Sequence, residues 1–155
     1  MKIIALTGGS GSGKSTVLKG LLEHFKGRSS ILSLDDYYRP REELPIDSNG
    51  ETNYDVPQAI NHDKLLGDLN KLMNGESVSI ETYTYNRDAM KSEVITITPS
   101  DWLIVEGLFV MHDPGVRNLF DLTAYIDAAP NTRLERRKLR DFTVRGYDPD
   151  EVEYQ

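Results

Sequence analysis

The stretch Gly8-Gly9-Ser10-Gly11-Ser12-Gly13-Lys14-Ser15-Thr16 constrains this chain more than any other. It fits the spacing G-x-x-x-x-G-K-[ST], with Gly8 and Gly13 as the fixed glycines. Ile3-Ile4-Ala5-Leu6 before it reads as a strand, and Val17, Leu18, Leu21, Leu22 and Phe25 after it fall at helix spacing. A Gly/Ser linker would not carry a strand and an amphipathic helix at this register. Strand, glycine loop and helix in that order are the setting of a phosphate-binding loop. The glycines let the backbone fold tightly round an anion with its N–H groups turned inward. A helix beginning near Lys14 adds unsatisfied N–H groups and the positive end of its dipole. Lys14 is then placed to reach the β- and γ-phosphates of ATP or GTP, and the Ser15 hydroxyl to ligate Mg²⁺. Residues 8–16 are the expected nucleotide site.

Gly27 closes the first helix pattern, and Ser30-Ile31-Leu32-Ser33-Leu34 reads as a second buried strand. Asp35-Asp36-Tyr37-Tyr38 stands at its end. In an open parallel sheet, chemistry gathers at the carboxyl ends of the strands, where the first strand also delivers its glycine loop. Asp35 therefore suits a general base for an attacking hydroxyl, with a Mg²⁺ contact as a second use; the plainer use is a turn or helix cap. Trp102-Leu103-Ile104-Val105-Glu106-Gly107 is a third apolar run ending in an acid. Glu106 is expected beside the loop as a Mg²⁺ ligand. Residues 122–127 read as a fourth strand.

The segments between carry weaker signals. Residues 39–51 are polar and turn-rich, and Tyr54-Asp55 alone is only a loop with an aromatic. Residues 61–73 make an amphipathic helix with Leu65, Leu66, Leu69, Leu72 and Met73 on its core face, stopped by Asn74-Gly75. Residues 78–85 and 93–98 alternate, suggesting a hairpin that forms a flap over an acceptor. Tyr83 and Tyr85 there either stack on a ring or pack. Asp113-Pro114 marks a helix start. Thr132-Arg133-Leu134-Glu135 has the capping-box pattern and opens a basic helix. Between Arg133 and Arg145, six basic residues stand against two acids, a local charge of +4 in a chain of -7. Spacing puts Arg133, Arg137 and Arg140 on one face. Such a face is either solvated or a lid closing on phosphates.

An overall charge of -7 disfavours a broad nucleic-acid surface, which needs a basic footprint. No apolar run approaches the roughly 18 residues that span a bilayer. A first strand starting at Lys2 leaves no room for a signal peptide, and with no cysteine there is neither disulfide framework nor thiolate metal site. The expected location is the cytoplasm. There is no repeat and no low-complexity tract. A single α/β domain over residues 1–155 is expected, a P-loop NTPase-type parallel sheet flanked by helices, with a flap at 78–98 and a lid at 132–147. A homo-oligomer is compatible with this.

With these motifs together, the chain resembles the uridine kinase/phosphoribulokinase family of P-loop kinases, and within it the uridine–cytidine kinases. Beyond the glycine loop, the resemblance rests on Ser33-Leu34-Asp35-Asp36-Tyr37-Tyr38, Tyr54-Asp55-Val56-Pro57, Val105-Glu106-Gly107 and the run from Arg133 to Gly146. It implies transfer of the γ-phosphate of Mg-ATP or Mg-GTP to the 5′-hydroxyl of a nucleoside such as uridine or cytidine. It makes Asp35 the base, aided by Lys14 and Arg140, and Ser15, Asp35 and Glu106 the metal contacts. It makes Asp55 the acid on the ribose hydroxyls, with Tyr54 and Tyr38 beside it. Tyr83 and Tyr85 fall in the family's base pocket, Arg137 on nucleotide and acceptor, and Arg145 and Gln155 on the acceptor. The chain departs from the family in two places: Asp88 stands near the position of a pyrimidine-reading histidine, and Arg145-Gly146-Tyr147 replaces an Arg-Gly-Arg. The family also continues with another core strand and helices, which this resemblance places beyond Gln155. Asp47-Ser48-Asn49-Gly50 is similar to nicotinamide riboside kinases, an alternative acceptor class. A nucleotide switch without an acceptor is the alternative of another kind. A GTPase would carry N-K-x-D, and Asn70-Lys71-Leu72-Met73 lacks the acid.

Overall fold

Parallel strands need crossovers of a dozen or more residues, and this chain provides them. The computed structural model describes residues 1–48, 50, 52–84 and 92–140. β1 (Lys2–Thr7) runs into the glycine loop and α1 (Lys14–His24), and β2 (Ser29–Ser33) passes straight into a 3-10 turn, Leu34–Tyr37. Two more short 3-10 turns, Arg41–Glu43 and Pro57–Ala59, lead to α2 (His62–Met73). β3 (Val78–Glu81) and β4 (Val94–Ile97) follow, then β5 (Trp102–Gly107), α3 (Pro114–Arg117), β6 (Leu122–Tyr125) and α4 (Pro130–Arg140).

Four strands form one parallel sheet in the order β2-β5-β1-β6, and β3 and β4 pair separately as an antiparallel hairpin. From β1 the chain travels outward past β5 to β2; from β5 it returns past β1 to β6. The connections diverge between β1 and β5, so a crevice opens at the carboxyl ends of that pair. The register there sets Leu6 opposite Glu106, Thr7 opposite Gly107 and Ser33 opposite Glu106. The acid at the end of β5 is thereby fixed beside both the glycine loop and the end of β2.

Burial on both faces explains the near-continuous apolar runs of β1 and β5. Ile3, Ala5, Leu103 and Val105 share a cluster with Leu65, Leu69 and Leu72 of α2. The two-residue period turns Ile4, Leu6 and Ile104 to the other face, where they are also buried. Each fully buried leucine contributes roughly 1.5–3 kcal/mol relative to exposure. Asn61 caps α2, its Oδ1 accepting from the Lys64 N–H at 3.0 Å.

Four details differ from expectation. No residue of α1 is fully buried; Leu18, Leu21, Leu22 and, just beyond the helix, Phe25 are half-covered, and Phe25 stacks on Trp102 with ring centroids 4.5 Å apart. β3 stops at Glu81 rather than 85, although the Thr82 N–H still bonds the Glu93 carbonyl at 2.8 Å; the next amide, that of Tyr83, points away from β4 and donates to the Asp36 carboxylate. β6 stops at Tyr125, although the Ile126 N–H still bonds the Thr7 carbonyl at 2.7 Å. Finally, α4 starts at Pro130, not at a Thr132 cap: proline suits the first helical position, and the Ala129 carbonyl already accepts from the Arg133 N–H at 3.0 Å. Among the described residues, no helix is long and apolar enough to cross a membrane.

Candidate active site

The glycine loop leaves β1 at the crevice and ends on Gly13, which precedes α1 with φ of +106°, a left-handed conformation open to glycine. No side chain caps α1 and no acid lies in its first turn. Its N–H groups are left to an anion, which a capping carboxylate would have excluded. Lys14 Nζ donates to the carbonyls of Gly8 at 2.7 Å and Gly9 at 3.2 Å, folding over the loop. Ser12 is 5 % exposed, and its Oγ has no hydrogen-bond partner among the described residues. This local chemistry fits a phosphate group.

α4 lies directly on the loop. A Cβ at Gly9 would collide with Nη1 of Arg133, and one at Gly11 with the Arg133 backbone carbonyl. Arg136 Nη1 donates to the Gly11 carbonyl at 3.4 Å. Two successive turns of the basic helix thus meet the loop; a Cβ at Gly11 would meet helix backbone, whereas one at Gly9 would displace only the tip of the Arg133 side chain.

Across the crevice stand the acids. The Ser33 hydroxyl donates to Glu106 Oε1 at 2.7 Å and accepts a long contact from the Asp35 N–H at 3.4 Å. Burial pushes the Glu106 carboxyl up, the Ser33 bond opposes this, the Asp35 carboxylate pushes it up further and the Lys14 ammonium pulls it down. Lys14, Asp35 and Glu106 therefore share one electrostatic neighbourhood. The donors available to a metal, the Ser15 hydroxyl and the Glu106 carboxylate, are hard oxygens that suit Mg²⁺. Among the described residues, no cluster of three acids or histidines would bind an ion alone. A Mg²⁺ here would take its remaining ligands from phosphate and water.

Beyond Asp35 lies an aromatic group. Tyr38 is 5.5 Å from Tyr54 and 5.2 Å from Tyr83, ring centroid to centroid, and Tyr54 is 6.4 Å from Tyr83. Burial, and then its contact with the Tyr54 hydroxyl, pushes the Tyr83 phenol up. Asp55 borders the group and pairs with Arg137 at 3.4 Å. His62 Nε2 lies 3.2 Å from the Pro57 carbonyl, steadying the turn after Asp55; burial pulls this imidazole below its ordinary range.

The expected site residues thus separate into two halves joined by α4. Arg137, expected on nucleotide and acceptor alike, stands at Asp55, while Arg133 and Arg136 reach the loop. Ser33 and the hydrogen bond of Asp36 to Tyr83 went unread in the sequence. Tyr85, Asp88, Arg145 and Gln155 lie outside the described residues, as does the side chain of Arg140.

The comparisons agree with this geometry. The model of the phosphoribulokinase/uridine kinase family matches residues 3–155. A uridine kinase of Anoxybacillus flavithermus is 41 % identical over 145 residues, covering 93 % of this chain and 69 % of its own length. A uridine kinase of Geobacillus kaustophilus is 39 % identical over 151 residues, covering 97 % of this chain and 72 % of its own. Two solved structures share the fold: a possible uridine kinase from Bacillus stearothermophilus (TM-score 0.66, 20 % identity, 97 % of this chain and 84 % of that one) and a D-glycerate 3-kinase from Cryptococcus neoformans (TM-score 0.62, 15 % identity, 99 % and 74 %). A glycine loop, a Ser33-bound acid on the neighbouring strand and a family match over nearly the whole chain lead to one conclusion: this chain belongs to the phosphoribulokinase/uridine kinase family.

Proposed function

We propose that this protein transfers the γ-phosphoryl group of Mg-ATP or Mg-GTP to the 5′-hydroxyl of a ribonucleoside, with uridine and cytidine as the first acceptors. The observation that carries this is the convergence of Lys14, Asp35 and Glu106 at one sheet edge, next to three tyrosines and Asp55. The names of the relatives support the acceptor class.

The residues divide the work. The loop amides and Lys14 hold the β- and γ-phosphates, and Arg133 and Arg136 approach from the opposite side. Ser15 and Glu106 would hold Mg²⁺, with Asp35 near enough to share. When bound, Mg²⁺ would supply positive charge against the negative charge of the β- and γ-phosphates. Asp35 takes the proton of the attacking hydroxyl. The tyrosines offer ring faces to a base, and Asp55 can accept hydrogen bonds from ribose hydroxyls. Its pair with Arg137 is partly exposed and worth about 1 kcal/mol or less, so an acceptor can displace or share it.

Side-by-side kcat/KM for uridine, cytidine and nicotinamide riboside, with ATP and with GTP, tests the reading. A phosphorylated nucleoside is the expected product; free phosphate alone would overturn the reading in favour of a switch. Asp88, an acid that the sequence places between β3 and β4, would favour a cationic base and so keeps nicotinamide riboside as a second acceptor. A tenfold preference for it, about 1.4 kcal/mol of transition-state binding, would displace the pyrimidines.

A further inference from the structure

Four consecutive residues after β2, Asp35 to Tyr38, meet three different elements of the fold. Asp35 faces Glu106. Asp36 Oδ1 accepts from the backbone N–H of Tyr83 at 3.2 Å. Tyr37, 1 % exposed, donates its hydroxyl to Asp68 Oδ2 of α2 at 3.1 Å, and Asp68 is itself 6 % exposed. Tyr38 packs on Tyr83. The buried Tyr37–Asp68 bond, and the Asn61 N–H on the Tyr37 carbonyl at 2.8 Å, anchor this turn to α2. Asp36 is therefore a fixed post.

What it holds is the root of the β3–β4 hairpin. That hairpin is a separate two-stranded sheet, and it receives no backbone ladder from the parallel one. The Thr82 N–H still bonds the Glu93 carbonyl at 2.8 Å, so the next amide, that of Tyr83, points away from β4, and it donates to Asp36. A bond from an amide to a carboxylate is stronger than a neutral one. It also sets the direction in which the Tyr83 ring leaves the backbone, towards Tyr38 and Tyr54.

We propose that Asp36 is a positioning residue for the acceptor: its carboxylate pins the Tyr83 amide and thereby fixes the tyrosine surface on which the acceptor lies. The adjacent acids then have distinct duties. Asp35 is left to the reacting hydroxyl, and Asp36 is committed to the hairpin. The charged groups facing Asp36 are Asp35 on its own turn and Lys64 on α2. The acceptor role rests on the phosphotransferase reading above, whereas the latch itself does not.

The test has a structural arm and a kinetic arm. In the ligand-free protein, the Tyr83 amide is expected to exchange slowly with solvent deuterium, and faster in Asp36→Ala. Asp36→Asn keeps an acceptor oxygen and should retain the protection. In kinetics, Asp36→Ala should raise KM for the nucleoside by about tenfold or more. The nucleotide KM should stay unchanged, and kcat at saturating acceptor should stay within about twofold. Asp36→Asn should restore most of the loss. Unchanged Tyr83 exchange, an unchanged acceptor KM, or an Asn variant as impaired as the Ala variant overturns the proposal. Should Asp36→Ala not fold, the unsubstituted protein decides: a Tyr83 amide that exchanges as fast as an open loop amide overturns the latch. If no nucleoside turns over while Tyr83 stays protected, the phosphotransferase reading falls and the latch stands.

Discussion

Glu106 stands where its charge is costly. Burial raises its carboxyl above the ordinary 4.5, and Asp35 and Asp36 push the same way against Ser33 and Lys14. The folded protein then binds a proton more readily than the unfolded chain. Stability therefore falls as pH rises from the ordinary value through the raised one. Glu106→Gln keeps an acceptor for Ser33 and removes the charge. Without metal it should melt above the unsubstituted protein at pH 7, with the gap closing as pH falls through the raised value towards 4.5. A lower melting point at pH 7 would show that the charge is compensated. The same variant should lose phosphoryl transfer, since a neutral amide is a poorer Mg²⁺ ligand. Asp35→Asn should lower kcat about 10²–10⁴-fold with nucleotide affinity little changed. An unaltered kcat would leave the proton to water, because Asp36 is occupied by Tyr83. Lys14→Ala loses the bonds to the Gly8 and Gly9 carbonyls, which lie in the loop and not in the core. Its circular dichroism should be unchanged while transfer is mostly lost; near-normal turnover would mean the phosphate site is elsewhere.

At the scale of elements, the contact to test is α4 on the glycine loop. Gly9 has no left-handed backbone angle, so Gly9→Ala acts only through the space Arg133 fills. It should weaken nucleotide binding, and Arg133→Ala in the same chain should relieve part of that loss. A double-mutant cycle should show coupling of about 0.5–3 kcal/mol; strict additivity would mean the two do not meet in solution. Much of this architecture is legible in the sequence, for local reasons. The strand runs, the glycine spacing and the leucines of α2 are patterns within a few residues, and they fix four parallel strands and the loop. The rest depends on partners far along the chain. Tyr83 and Asp36 are 47 residues apart, and nothing local marks which acceptor that amide will meet. The charge period of α4 defines a face but not its targets: Arg137 was expected on nucleotide and acceptor alike, and it pairs with Asp55, the acid expected on the acceptor side. The start of α4 was misread because Pro130 and Thr132 both signal one, and the proline comes first.

For the whole molecule, the order β2-β5-β1-β6 of the described residues fixes which segments must meet. The strand order has a further consequence during synthesis on the ribosome. Among the described residues β1 pairs with β5 and β6, and β2 with β5, so the ladders described for this sheet wait until β5 is made. Translation at about 5–20 residues per second puts roughly 5–20 s between β1 and β5. Through that interval Ile3-Ile4-Ala5-Leu6 has no strand partner, which marks the nascent amino terminus as a binding segment for chaperones. The phosphate loop, encoded first, is among the last parts of the sheet edge to take shape.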